Sequence, residues 1–155
     1  MRTEPDLFLG KFARTMDARN RITVPTAFKA ELAGGAYMTQ GFDRNLQVLT
    51  ARAFQQIYQQ VTALNSADPL ARLLLRLVLG NAVEVPPARG SLAIPDNLRQ
   101  YASLEENVLL IGQGDYFEIW APANWGEQEA QLQDAGANAS RFAALALTGG
   151  HGPAH

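Results

Sequence analysis

The chain has 155 residues, no cysteine, 47% hydrophobic residues, and 13 Lys plus Arg against 15 Asp plus Glu. These figures exclude disulfide frameworks, thiolate metal sites and cysteine nucleophiles, while the apolar fraction suffices for one compact core or two very small ones. The net charge of -2 excludes a uniformly basic nucleic-acid binder. No apolar run approaches a bilayer span, and the opening MRTEPDLFLGKF carries acids where a signal peptide is basic, so a soluble cytoplasmic protein is expected.

The average charge hides an asymmetry. From Phe8 to Ala30, Lys11, Arg14, Arg19, Arg21 and Lys29 stand against the single acid Asp17. From Asp115 to Asp134 five acids run without a Lys or Arg. A local basic patch attracts a polyanion even on an acidic chain.

Taken in order, the chain repeats itself. Leu9-Gly10 recurs as Leu79-Gly80, and RITVPTAFK (21–29) aligns with SLAIPDNLR (91–99), at a shift of seventy positions. LQVLTARAF (46–54) matches FEIWAPANW (117–125) one residue out of step. Ile22 and Val24, then Leu92 and Ile94, alternate with smaller or polar residues as half-buried strands do. Pro25 and Pro95 stop these strands at what reads as the first turn of a helix, where Phe28 with Leu32, and Leu98 with Ala102, form one buried stripe. AYMTQ with LQVLT, and NVLLIGQ with YFEIW, read as strand pairs connected through Gly41, or through Gly112 and Gly114. Each unit is thus strand, strand, short helix, strand, strand. Two units this small need each other to complete a core.

Between them, Thr50 can cap a helix carrying Phe54, Ile57, Tyr58, Val61 and Leu64 at helical spacing. Asp68 can cap a second helix with Pro69 as its first residue and Leu70, Leu73, Leu74, Leu77 and Val78 as its apolar stripe. That leucine face has two possible destinations, the protein's own core or a neighbouring subunit. Beyond Trp125 the sequence reads as a polar helix weakening through Gly136, then a mobile tail, TGGHGPAH.

The segment TMDARNRITVP sets Asp17 four positions before Arg21, with Arg19 between and Asn20 at the turn. Asn tolerates left-handed backbone, and a carboxylate can fix one guanidinium while leaving the other arginine to reach outward. Arginines projecting from a β-element suit phosphate oxygens and guanine edges. As a bare spacing, D-x-x-x-R is common.

FLGKFARTMDARNRITVPTAFKAEL resembles the opening of the MraZ family of transcriptional regulators, whose pattern is a D-x-K-G-R turn followed by an apolar-polar-apolar-Pro strand; GSLAIPDNLRQYASLEENVLLIGQGDYFEIW resembles the family's second repeat. The resemblance covers Leu7 to Trp125. It implies an α+β, mainly β fold: two SpoVT-AbrB-type repeats, 7–53 and 81–125, forming one swapped-hairpin β-barrel, with a helical linker at 54–80 and a C-terminal helix and tail at 126–155. It further implies a nucleoid-associated homo-oligomeric ring that binds short repeated DNA boxes upstream of division and cell-wall genes. Asp17 and Arg21 occupy the family's Asp and Arg, Arg19 replaces the lysine, and Asn20 replaces the glycine. In the second repeat the aligned positions are Pro87 and Ser91, with Arg89 two places from the arginine position, so that copy lacks the pair. DNA contact is therefore expected from Arg14, Arg19 and Arg21, with Lys11 and Lys29 as phosphate partners and Asp17 and Asn20 shaping the turn.

An enzyme is not expected. The only histidines, His151 and His155, lie in the Gly-Pro-rich tail; Glu105-Glu106, and Glu127 with Glu129, read as solvated charges, and Trp120 and Trp125 as core or interface packing. No catalytic centre, cofactor, metal or small-molecule substrate is anticipated. The remaining alternative is a ring-forming protein-interaction module in which Asp17 and Arg21 are only an internal ion pair.

Overall fold

The computed structural model describes residues 7–86 and 90–145; Pro87, Arg89, His151 and His155 lie outside these, as does the expected tail. The first half contains β1 (Lys11–Thr15), β2 (Arg21–Thr23), α1 (Thr26–Leu32), β3 (Ala36–Gln40) and β4 (Leu46–Thr50). After α2 (Ala51–Thr62) and α3 (Pro69–Val78), the second half repeats the order with β5 (Val83–Val85), β6 (Ser91–Ala93), α4 (Asp96–Tyr101), β7 (Asn107–Gly112) and β8 (Tyr116–Trp120). The expected strand, strand, short helix, strand, strand order holds in both halves. The helices begin one residue later than expected: Pro25 and Pro95 are the extended residues before α1 and α4, where a missing amide hydrogen is still harmless.

The sheets interleave the two halves. A six-stranded antiparallel sheet runs β1-β7-β8-β4-β3-β5, and β2 pairs with β6 alone. Among the described residues, only β3 with β4 and β7 with β8 are local hairpins; β1 with β7, β5 with β3, β4 with β8 and β2 with β6 each join one half to the other. Neither half can satisfy its own strand edges, so the repeats fold as one unit.

The core forms where the halves meet. Phe8, Phe28 and Phe117 pack with ring centroids 4.9 to 5.2 Å apart, two of the three contacts edge-on. Ile22, Leu92, Leu98, Leu110 and Ile119 are fully buried around them. Phe28 and Leu32 in α1, and Leu98 and Ala102 at α4, are the buried stripes their spacing predicts.

The helical connection is capped as its sequence indicates. The Thr50 hydroxyl accepts the Ala53 amide at 3.1 Å, and the Asp68 carboxylate accepts the Leu70 amide at 2.9 Å. Its leucine stripe is only partly covered: α3 buries Ala71 and Val78, half-buries Leu74 and Leu77, and leaves Leu70 and Leu73 in solvent. In α2, Val61 is buried while Tyr58 and Leu64 are exposed. The stripe is wider than the contact available to it, because a helix touching the sheet on one side buries only about a third of its circumference.

A first compact unit runs to Pro122 and a second starts at Ala123. Where one C-terminal helix was expected, the described residues form two, α5 (Pro122–Leu132) and α6 (Ala135–Ala143). Asp134 separates them: its carboxylate accepts the Ala137 amide at 3.2 Å and restarts the helix. Within this unit the buried Asn138 amide donates to the carbonyls of Gln131 and Leu132, at 2.8 and 3.2 Å.

Candidate nucleic-acid interface

Between β1 and β2 the chain reverses through a turn closed by two backbone bonds, Asp17 N–H to Arg21 C=O at 2.9 Å and Asn20 N–H to Asp17 C=O at 3.0 Å. Asn20 has φ 58°, the left-handed conformation that Asn tolerates better than most residues. Seventy positions on, Gly90 has φ 98°. The two turn residues are also exchanged hydrogen-bond acceptors: Ile94 N–H donates to Asn20 C=O at 3.0 Å and Val24 N–H to Gly90 C=O at 2.9 Å, flanking the β2 and β6 pairing.

Asp17 organises the turn. One carboxylate oxygen, Oδ1, accepts the backbone amides of Arg19 at 2.8 Å and Arg21 at 3.0 Å; the other, Oδ2, accepts Arg21 Nε at 3.2 Å. The Arg21 amide, followed by that of Arg19 and the Arg21 guanidinium, lowers the Asp17 pKa against a smaller opposing effect of burial. Arg21 is thereby oriented, with its terminal nitrogens left beyond the bond to Asp17. Arg19 is exposed, and no side-chain bond or ion pair engages it among the described residues.

The other expected contacts are distributed differently. Arg14 donates Nε to the Thr23 carbonyl at 3.1 Å and Nη1 to the Ala13 carbonyl at 2.8 Å, and its guanidinium lies 5.6 Å from the Phe12 ring centre. It clips β1 to β2 as well as carrying charge. Lys11 is exposed on the opposite face of β1, since successive strand residues alternate. Lys29 lies near the other half's turn: its ammonium is 3.7 Å from where a Cβ on Gly90 would sit. Asp17, Arg19, Asn20 and Arg21 therefore form one group, with Arg14 beside it and Lys29 elsewhere.

Arg99, seventy positions after Lys29, was absent from the sequence-based set although the repeat could have indicated it. It lines a cavity of about 460 Å³ with Asp17, Asn20, Leu104, Glu105 and Glu106, and its guanidinium bonds Asp96 at 2.6 Å. Each half thus places a basic helix residue near the opposite half's turn. Among the described residues no group of three or more His, Asp or Glu could hold a metal ion, and no helix is long and apolar enough to cross a membrane.

The family model described as "MraZ protein, putative antitoxin-like" matches residues 7–77 and 79–145. Among curated relatives, the transcriptional regulator MraZ of Thermomicrobium roseum is 35% identical over 141 residues, covering 90% of this chain and 99% of the relative. The protein of the same name from Kocuria rhizophila is 36% identical over 130 residues, 83% of this chain and 90% of the relative. That of Micrococcus luteus is 35% identical over 133 residues, covering 83% and 93%.

Proposed function

This chain belongs to the MraZ family, and from that premise we propose that it is a transcription regulator that binds DNA through the Asp17–Arg21 turn. Its relatives carry the name of a regulator and not of an enzyme. The observation that carries the reading is the turn itself: a carboxylate that spends both oxygens on holding Arg21 and the backbone of Arg19, so that two guanidinium groups are presented from a short, rigid reversal. Preset donors lose less entropy on meeting a phosphate or a guanine edge than mobile ones do.

In this reading Arg19 and Arg21 make the principal contacts, Arg14 contributes the charge its carbonyl bonds leave available, and Lys11 and Lys29 act on phosphates farther out. The interleaved pairing of the halves supports a swapped-hairpin barrel of the SpoVT-AbrB type, with 7–53 and 81–125 as its repeats, 54–80 as linker and 126–155 as an appendage. The protein acts in the cytoplasm at the nucleoid, as a homo-oligomeric ring whose basic turns engage short repeated boxes upstream of division and cell-wall genes. Repetition matters because a site neutralising two or three phosphates binds weakly alone, whereas linked copies gain avidity of roughly two to four powers of ten when their spacing matches the boxes.

Fluorescence anisotropy with the chain's own upstream region and with scrambled DNA, at two salt concentrations, tests the function. Preferential binding to the upstream DNA that weakens steeply with salt supports it. Equal binding to both sequences, or none to either, overturns it.

A further inference from the structure

Folding divides the basic first-half stretch between the two ends of one ribbon. β2 and β6 pair in a register that sets Arg21 against Ala93 and Thr23 against Ser91, with Asn20 at one end and Gly90 at the other. Four residues of strand separate those ends, about 13 Å at roughly 3.3 Å per residue. Arg21, Thr23, Ser91 and Ala93 alternate with buried Ile22 and Leu92, so they share the outer face of the ribbon.

The Asn20 end is surrounded by acids of the second half. The cavity lined by Asp17 and Asn20 is also lined by Arg99, Glu105 and Glu106, and Arg99 is already paired with Asp96 at 2.6 Å. The Glu106 carbonyl accepts the Met16 amide at 2.7 Å, which ties the acid pair to the residue before Asp17. Exposed Glu84 of β5 lines a second cavity, of about 440 Å³, with Arg21, Ala93 and Ser91. Around Arg19 and Arg21, therefore, Asp17, Glu84, Asp96, Glu105 and Glu106 outnumber the guanidiniums.

The Gly90 end receives cations instead. Arg14 Nε is anchored on the Thr23 carbonyl at 3.1 Å, on the residue opposite Ser91, and the Lys29 ammonium lies 3.7 Å from where a Cβ on Gly90 would sit. When the first residues of β3 and β7 are aligned, Gly34 and Gly35 take the places of Glu105 and Glu106; Thr26 takes that of Asp96 at the seventy-residue shift. The half without an acid-arginine pair of its own is thus supplied with two cations by the other half.

A phosphate gains little where carboxylates balance the cations, whereas a neutral base edge still accepts bonds from a guanidinium held in place. We propose that the two ends of the ribbon divide the recognition of DNA: Arg21, held by Asp17 among second-half acids, reads a base edge and sets sequence preference, while Arg14 and Lys29 at the Gly90 end hold a backbone phosphate. Glu105 and Glu106 keep phosphates off the reading end. The separation suits this division, because a major groove is about 12 Å wide and one end can meet base edges while the other meets the flanking backbone. The inference rests on the DNA-binding reading above and assigns the two kinds of contact within it.

Anisotropy titrations of the full-length protein on its own upstream region and on scrambled DNA, across a salt series, test the division; thermal melts establish that each variant is folded. Substitution of exposed Lys29, Lys29→Gln, is expected to weaken binding to both DNAs alike, by about tenfold near 0.1 M salt and with a slope shallower by about 0.9 for each engaged subunit. Arg21→Lys keeps the charge but loses the planar fork, so it is expected to bind upstream DNA no better than scrambled DNA, at the wild-type slope. Glu105→Gln with Glu106→Gln is expected to tighten scrambled DNA several times more than upstream DNA. A Lys29→Gln loss confined to upstream DNA or without a change of slope, an Arg21→Lys variant that weakens both DNAs equally, or an acid-pair variant that tightens both alike overturns the proposal. Wild type that prefers its upstream DNA while the variants fail in these ways leaves the function standing and removes only the division; wild type without that preference overturns both.

Discussion

Asp17 and Glu118 are two carboxylates that the fold treats in opposite ways. Asp17 accepts two backbone amides and Arg21 Nε, which lowers its pKa, so its contribution is present above the ordinary carboxylate range and is lost as pH falls through the lowered value. Asp17→Asn is expected to cost stability most at neutral pH, with the deficit shrinking towards acid. Glu118 in β8 is raised, first by burial, against the lowering effect of bonds from Trp120 Nε1 at 2.8 Å and Gln113 Nε2 at 3.2 Å. Its protonated form suits the fold, so relative stability falls as pH rises through the raised value. Glu118→Gln keeps an acceptor for Trp120 and is expected to gain on wild type between pH 4 and pH 7; urea midpoints at the two pH values check both signs. At the turn, Arg21→Ala is expected to abolish specific DNA binding in a gel-shift assay while leaving sedimentation unchanged, because the side chain is half exposed and packs no core. Unchanged affinity would remove Arg21 from the interface.

The elements depend on backbone conditions that few side chains meet. The Phe8 segment lies across Gly112 and Gly114, with Gly112 N–H donating to Gly10 C=O at 2.8 Å and Gly114 N–H to Phe8 C=O at 2.9 Å. A Cβ on Gly112 would sit 2.4 Å from the Phe8 carbonyl and 2.6 Å from Leu9 Cα. Gly112→Ala is therefore expected to displace Phe8 from the aromatic core and cost about 2 kcal/mol, within the usual range for overpacking, as measured by chemical denaturation. The order of the elements was readable because alternation, two prolines and a seventy-residue repeat agree with one another. Strand partners were not: a period of two says which residues share a face, but not that β1 would choose β7 and β5 would choose β3. The same limit applies to the site. The Asp17–Arg21 turn is local and was legible, whereas Lys29 moved to the opposite turn because α1 belongs to an interleaved structure. Charge alone also gave no sign that Arg14 would be committed to the Thr23 and Ala13 carbonyls.

For the whole molecule, the net charge of -2 is the sum of a basic first half and an acidic second half, so the field a polyanion meets is set locally by the turns and not by the total. Affinity for DNA then depends on two separable quantities. The number of phosphates each turn neutralises fixes the salt slope, near -0.9 per phosphate, and the number of linked turns on one DNA multiplies it. Where copies are linked through the exposed Leu70 and Leu73 of α3, Leu70→Glu with Leu73→Glu is expected to leave each turn intact, lower affinity for multi-box DNA by at least about a hundredfold, and flatten the slope. On DNA with a single box, wild type and variant should bind alike, because only one turn can engage. Anisotropy titrations on one-box and multi-box duplexes across a salt series measure both effects. Equal losses on the two duplexes would mean that the substitutions had damaged the turn and that avidity is not the source of tight binding.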